Sequence, residues 1–361
     1  MSRATTATIH LDALRHNLAR VRELAPQSRV MAVVKADGYG HGLERVATAL
    51  AEADALGVAA LSDAERLRAA GVVQRIVLLS GIDEASDLPQ LRRLDVETVV
   101  HHSSQLELLQ AEPAGLAPVR VWLKIDTGMH RLGIPIAEAA QVHAALSALP
   151  NVAPDIVLMT HFASSDEFGG AQTVGQLARF GAASAELPGL ASLANSAAIL
   201  GWPQSHRDWL RAGGALYGLS VVPGKTGADF GLRPAMTLST RLIAVNRAAK
   251  GERIGYSATW ECPEDMPVGV AAIGYGDGYP RSVPAGTPVL VNGRRAPIIG
   301  RVSMDLMTID LRGQPEARVG DPVVLWGPEL PAEEIAAAAG TISYELTCSI
   351  TRRVRVVESG G

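Results

Sequence analysis

Short apolar runs alternate with stretches of helical periodicity over the first two-thirds of the chain. The apolar runs fall at 30–34, 56–60, 76–79, 98–100, 119–125, 156–160, 192–195 and 210–216. Between them, residues 11–24, 43–53, 64–70 and 136–149 place apolar side chains at helical spacing. Parallel strands covered on both faces read as unbroken apolar runs of this kind. Eight of them alternating with helices over about 220 residues fit a closed (β/α)8 TIM-like barrel better than an open doubly wound sheet. No GxGxxG follows the first run, which counts against dinucleotide binding. Ser62 with Glu65, and Ser104 with Glu107, have the spacing of capping boxes.

Beyond residue 230 the texture changes. Gly, Pro and β-branched residues punctuate short runs at 238–245, 268–273, 288–291, 297–299, 323–326 and 352–357, with one helical stretch at 332–339. This is β character at hairpin spacing. The expected division is a barrel over 1–230 and a mainly β domain over 231–361, cut after the polar segment 223–229.

Composition narrows the class. The 361 residues are 47% hydrophobic and carry a net charge of −4, so the chain can bury two cores but shows no electrostatic footprint for nucleic acid or an anionic membrane. The two cysteines, Cys262 and Cys348, make no disulfide framework and too few ligands for a thiolate metal site. They read as passive residues. No metal site is expected. No apolar run has the length of a membrane span, and the first residues carry no secretion signal. The expectation is a soluble cytoplasmic enzyme.

In a barrel, chemistry gathers where strands end. Lys35 ends the first run. It reads either as a strand-end lysine whose ammonium reaches water, or as an amine freed by burial to attack an aldehyde. Loops after the last two barrel strands commonly hold phosphate, and here they offer the Ser196 hydroxyl and the open backbone of Gly213 and Gly214. A mouth lysine opposite a phosphate cradle is what pyridoxal 5'-phosphate requires. His161 reads as a core histidine or as a ring that orients Arg211, and Arg211 as a donor to the pyridine nitrogen. Asp126 reads as a turn cap. Taken alone, Tyr256 is a strand aromatic and Met304 core filler.

Several segments together decide between these readings. Residues 32–42, 124–133, 160–164, 194–197 and 211–218 resemble those of bacterial alanine racemases, in the family's order. So do Gly255-Tyr256-Ser257-Ala258-Thr259, the run from Ile273 through Gly274-Tyr275-Gly276-Asp277-Gly278-Tyr279 to Arg281, Gly300-Arg301-Val302-Ser303-Met304-Asp305, and Thr341-Ile342-Ser343-Tyr344-Glu345. The likeness runs from near residue 9 to near residue 355. The Gly-Tyr-Gly-Asp-Gly-Tyr and Val-Ser-Met-Asp segments are its most specific parts.

The resemblance implies a pyridoxal-phosphate enzyme that interconverts L-alanine and D-alanine, in a homodimer with shared active sites. Lys35 would hold the cofactor and act as one base, with Tyr256 of the partner subunit as the other. Arg131 would support the cofactor's phenolic oxygen and the substrate carboxylate, and Arg211 would face the pyridine nitrogen. Tyr39, Ser196, Gly213, Gly214 and Tyr344 would hold the phosphate. Met304 would meet the substrate carboxylate through its backbone N–H, Tyr275 and Asp305 would line the entrance, and Lys124 would be carbamylated. The implied physiological role is D-alanine supply for peptidoglycan precursors or, alternatively, D-alanine breakdown. Ser303 and Trp260 depart from residues common in the family, without touching the implied chemistry. A decarboxylase on the same scaffold would need a catalytic cysteine, and a cofactor carrier made of the barrel alone would leave the β domain unexplained.

Overall fold

The computed structural model describes residues 4–360. Its two compact units do not divide at one point of the chain. One runs from Asn17 to Leu216 with Val222–Gly224; the other combines the segment ending at His16 with Tyr217–Val221 and everything from Lys225 onward.

The first unit is an eight-stranded parallel barrel. Strands Arg29–Val33, Ala55–Val58, Arg75–Leu78, Val96–Val100, Val121–Asp126, Val157–Met159, Ala191–Ser192 and Trp209–Ala212 pair in chain order, and the last closes on the first with Leu210 opposite Val30. All eight expected runs are strands, shifted by a few residues at their ends. Met31, Ala55, Val77, Val99, Trp122, Val157, Met159 and Trp209 form one buried cluster. Two of its rings meet edge to face, Trp122 against Trp209, with centroids 5.4 Å apart. Below them the buried Glu97 accepts from Trp122 Nε1 at 2.7 Å and pairs with Arg75 and Arg120. The outer helices follow ordinary rules. In Asp87–Leu94, Leu88, Leu91 and Leu94 face inward, Asp87 accepts the amides of Asp83 and Glu84, and the left-handed Asp95 stops the helix.

The two expected capping boxes are absent. Ala60 occupies the cap of Leu61–Ala69 and no side chain caps it, so Ser62 lies inside the helix. The cap of Ser103–Gln110 is His102, whose ring accepts from Ser104 N. In both cases the helix starts earlier than the serine, and its hydroxyl no longer faces the free amides.

The second unit is a largely antiparallel sheet. Its order is Met266–Ala271, Met307–Asp310, Arg294–Ile299, Pro288–Val291, Pro322–Trp326, Met236–Ala248, Thr6–His10, Arg355–Ser359. The 13-residue strand Met236–Ala248 also pairs with Met266–Ala271, with a register shift between Leu242 and Ala244 that bends it from one neighbour to the next. Thr6–His10 escapes the sequence reading. It runs antiparallel to Met236–Ala248 and parallel to Arg355–Ser359. Cys262 is buried with Ala248, Met266, Val268 and Ile299 as part of the core, and Cys348 is exposed. Among the described residues no helix is long and apolar enough to cross a membrane, and no group of three His, Cys, Asp or Glu could hold a metal ion.

Candidate active site

The turn after the first barrel strand has unusual backbone. Ala36, Asp37, Gly38 and Tyr39 all have φ between 52° and 62°, and Gly40 follows at 79°. Left-handed backbone costs roughly 1–2 kcal/mol for each non-glycine residue, so the surroundings must hold it. They do. The ring of the buried His41 bonds the carbonyls of Gly38 and Tyr39 at 3.1 and 2.9 Å. Asp37 accepts from Leu43 N at 3.2 Å and Arg66 Nη2 at 2.9 Å. Lys35, at the head of this turn, is exposed rather than buried, because it lies two residues past the strand end where the left-handed turn begins.

Tyr39, at the other end of the turn, reaches the cradle after the last barrel strand. A Cβ built on Gly213 would stand 2.5 Å from the Tyr39 hydroxyl and 3.8 Å from Ser196 Oγ, so the glycine lets the Tyr39 hydroxyl come close to the backbone. Ser196 Oγ accepts from Gly213 N at 2.9 Å and Ala215 N at 3.2 Å. Gly214 opens the short turn Gly214–Tyr217 beside it. Ser196 is held in turn by Asn195, whose side chain caps Ala198 N and accepts from the buried Ser165 hydroxyl at 2.8 Å.

Arg211 is buried inside the mouth. Its Nη1 donates to Ser192 O and Oγ, and its Nη2 to Thr160 O at 2.6 Å, Leu193 O at 3.1 Å and His161 Nδ1 at 3.3 Å. Nε is the guanidinium donor left without an acceptor among the described residues. Burial brings Arg211 down to about 10, still cationic at neutral pH. Loss of solvation, followed by the charges of Arg211, Lys124, Arg131 and Lys35, holds His161 well below the usual imidazole range. The ring is therefore neutral, and Nδ1 accepts the Arg211 proton.

Lys124, on the strand Val121–Asp126, is buried in the same cationic surroundings. Burial first, then Arg211, Arg131 and Lys35, push its amine down to about 8, against the pull of Asp126. Asp126 does what turn chemistry suggests. Its Oδ1 accepts from Gly128, Met129 and His130 N, and these amides outweigh burial to hold its carboxyl below the usual range. That turn leads directly to the exposed Arg131.

The β unit carries the remaining expected residues. Tyr256 lies on a strained turn rather than in a strand. Gly255, Ser257 and Ala258 have φ of 75°, 62° and 48°, and Tyr256 itself is 66% exposed. Arg301 Nη1 bonds Ser257 Oγ at 3.1 Å and so fixes the turn to the segment beginning at Gly300. The two most specific segments are joined by backbone. Tyr275 N donates to Ser303 O and Gly276 N to Met304 O, and a Cβ on Gly274 would strike Ser303 O at 2.2 Å. Met304 is 52% exposed and Tyr275 39%, so neither fills a core. Arg353 joins Asp305 to the buried Asp277. Tyr344 lies on the short helix Ser343–Cys348.

The structure brings Lys35, Lys124, Arg131, His161 and Arg211 into one electrostatic neighbourhood, with Tyr39, Ser196 and Gly213 as a cradle. Sequence reading misses the residues that brace them: Gln176, Thr127, Thr160, Ser165 and Arg179. Nothing in a lone mid-helix Gln or Arg marks it as a brace.

A closed parallel barrel whose mouth gathers two lysines, two arginines and a histidine, joined to a mainly β unit, has the architecture of a barrel enzyme. Comparison with known proteins identifies which one. The family model described as "Alanine racemase, N-terminal domain" matches residues 9–221, and "Alanine racemase, C-terminal domain" matches 235–358. An alanine racemase of Shewanella baltica is 54% identical over 350 residues, covering 97% of this chain and 98% of that protein. The crystal structure of a biosynthetic alanine racemase from Pseudomonas aeruginosa superposes with a TM-score of 0.95 at 46% identity, covering 99% of each chain. That of Bartonella henselae alanine racemase, with covalently bound pyridoxal phosphate, does so at 0.88 and 25% identity, again over 99% of each. The chain belongs to the alanine racemase family. Its reaction is the one the family is named for, the interconversion of the two enantiomers of alanine.

Proposed function

We propose that this racemisation uses pyridoxal 5'-phosphate held on Lys35, with Lys35 and the Tyr256 of a partner subunit as bases on opposite faces of the substrate. The observation that carries the reading is the cradle. Tyr39, Ser196 and the side-chain-free Gly213 come together after the last barrel strand, a cluster of hydrogen-bonding groups in the same unit as the cations of the mouth. The donor set fits a phosphate dianion at one end and an unprotonated ring nitrogen at the other. Tyr39, Ser196 and the amides near Gly213 and Gly214 would hold the phosphate, with Tyr344 joining them. The Nε–H of Arg211 would meet the nitrogen. An arginine cannot yield that proton at working pH, so it donates a hydrogen bond and no more.

When bound, the cofactor supplies the electron withdrawal that makes the α-carbon acidic. The chain's own groups do the rest. Lys35 Nζ takes or returns the α-proton on one face and the Tyr256 hydroxyl on the other, which is how a two-base site inverts a centre. Arg131 binds the substrate carboxylate, aided by Met304 N–H, while Tyr275 and Asp305 restrict what enters. Lys124, with its amine near 8, is neutral often enough to attack carbon dioxide. Nitrogen bonds carbon, one proton leaves to solvent, and the carbamate formed is an anion beside Arg131. The working unit is a homodimer in the cytoplasm, supplying D-alanine for peptidoglycan precursors, and the two free cysteines suit a reducing compartment.

Subunit mixing tests the shared site. Lys35→Ala and Tyr256→Phe proteins should each be inactive, but a mixed dimer should rebuild one intact site and concentrate both defects in the other. After full exchange of equal amounts, activity should approach about a quarter of the parent's. No recovery, with exchange verified by mass, would mean that each site is built from one chain.

A further inference from the structure

The helix Ala171–Ser184 carries none of the charges of the mouth, yet its residues touch both loops that do. Gln176 is completely buried. Its Nε2 donates to Thr127 Oγ1 at 3.1 Å and to His161 O at 3.0 Å, and its Oε1 accepts from Ala163 N at 2.8 Å. Both donor and acceptor ends are engaged, which fixes the orientation of the amide. Thr127 Oγ1 then lies 2.8 Å from Thr160 Oγ1, and Thr160 O accepts from Arg211 Nη2. A continuous bonded path thus runs from the helix to Arg211. On the side of Arg131, Arg179 Nε donates to Thr127 O at 2.6 Å and Gln172 Nε2 to Gly128 O at 2.9 Å. A leucine or methionine would fill the space but leave Ala163 N, His161 O and Thr127 Oγ1 without this partner. What the amide adds is direction, and it applies that direction to two loops at once.

We propose that Gln176 is a positioning residue that fixes the Arg131 loop relative to His161 and Arg211, and thereby sets affinity for the substrate carboxylate. This rests on the reading of Arg131 as the carboxylate's ligand. The test uses the holoenzyme, the KM and kcat for L-alanine, and calorimetric binding of propionate, which carries the carboxylate without the amine. Gln176→Leu should raise KM and the propionate Kd about tenfold while kcat falls less than about threefold, since small misplacements of binding groups are costly. Phe180→Leu, at another buried position of the same helix, should lower Tm comparably yet leave both constants within about twofold. If both variants shift the constants alike, or if Gln176→Leu leaves them unchanged, the proposal fails. Should Gln176→Leu not fold, Gln176→Glu keeps the shape and the bond from Ala163 N. Its KM relative to the parent should climb with pH as the buried carboxyl ionises and stops donating, and a flat ratio overturns the proposal. Arg131→Ala separates the two readings. If it leaves propionate binding intact, the assignment of Arg131 fails, and the role of Gln176 is decided by the contrast in KM between Gln176→Leu and Phe180→Leu.

Discussion

At the barrel mouth, Arg211 is 5% exposed and Lys124 6%, and Arg211 is bonded through both terminal nitrogens. On the β unit, Tyr256 and Met304 are more than half exposed, and the neighbours of Tyr256 have strained backbone. The difference separates two ways of preparing a site. The mouth organises its electrostatics within its own unit, and neither Arg211 nor Lys124 can be altered without disturbing a buried environment. The β-unit face holds backbone shape fixed while leaving side chains open to solvent, so function there is nearly uncoupled from stability.

Four substitutions would break or sharpen this contrast. The largest effect belongs to Lys35→Ala, which should lower racemisation by at least about a thousandfold if Lys35 is, as proposed, both the attachment point and one base. Borohydride reduction of the parent followed by peptide mapping should place the pyridoxyl group on Lys35; a label on Lys124 would overturn the assignment.

The next effect is on stability and belongs to Lys124. Its folded pKa of about 8 lies below the ordinary 10.5, so between these values the unfolded chain binds a proton that the folded chain has released. Stability should therefore rise as pH climbs through that window, by up to about 3 kcal/mol, and show no contribution from this group's titration below it. Urea unfolding at pH 7.5–10 in buffer free of carbon dioxide should show the rise in the parent and its loss in Lys124→Met. Equal slopes would mean that Lys124 is not held near 8.

The smallest effect is expected at the open face. Tyr256→Phe and Met304→Leu should change folding stability by no more than about 0.5 kcal/mol, because neither side chain fills a core. A loss of more than about 2 kcal/mol from either would place it in a packed environment and erase the contrast.

The barrel was legible because buried parallel strands leave unbroken apolar runs, and all eight stand close to where those runs fall. Thr6–His10 was not, because five alternating residues ahead of a helix look like an ordinary lead-in. The serine caps failed for a local reason: the helices begin upstream at Ala60 and His102. Within the site, Lys35, Arg211 and the Gly213–Gly214 pair stood out by their places at strand ends and Arg131 and Lys124 only through the family resemblance, whereas the exposure of Lys35 depended on a left-handed turn in which Ala36, Asp37 and Tyr39 flank Gly38. Gln176 was illegible for a different reason. Its role arises from where a helix is placed against two loops, and that placement is tertiary.

The parallel pairing of Thr6 with Arg355 has a consequence for how the chain is made. A ribosome releases the first strand long before its last partner exists, and at roughly 5–20 residues per second the wait is on the order of 20–70 s. The whole barrel is synthesised in that interval. The nascent β sheet meanwhile keeps an open edge, the kind of surface that pairs with other chains. Anything that pairs with strands can act on that edge of Thr6–His10 until Arg355–Ser359 covers it.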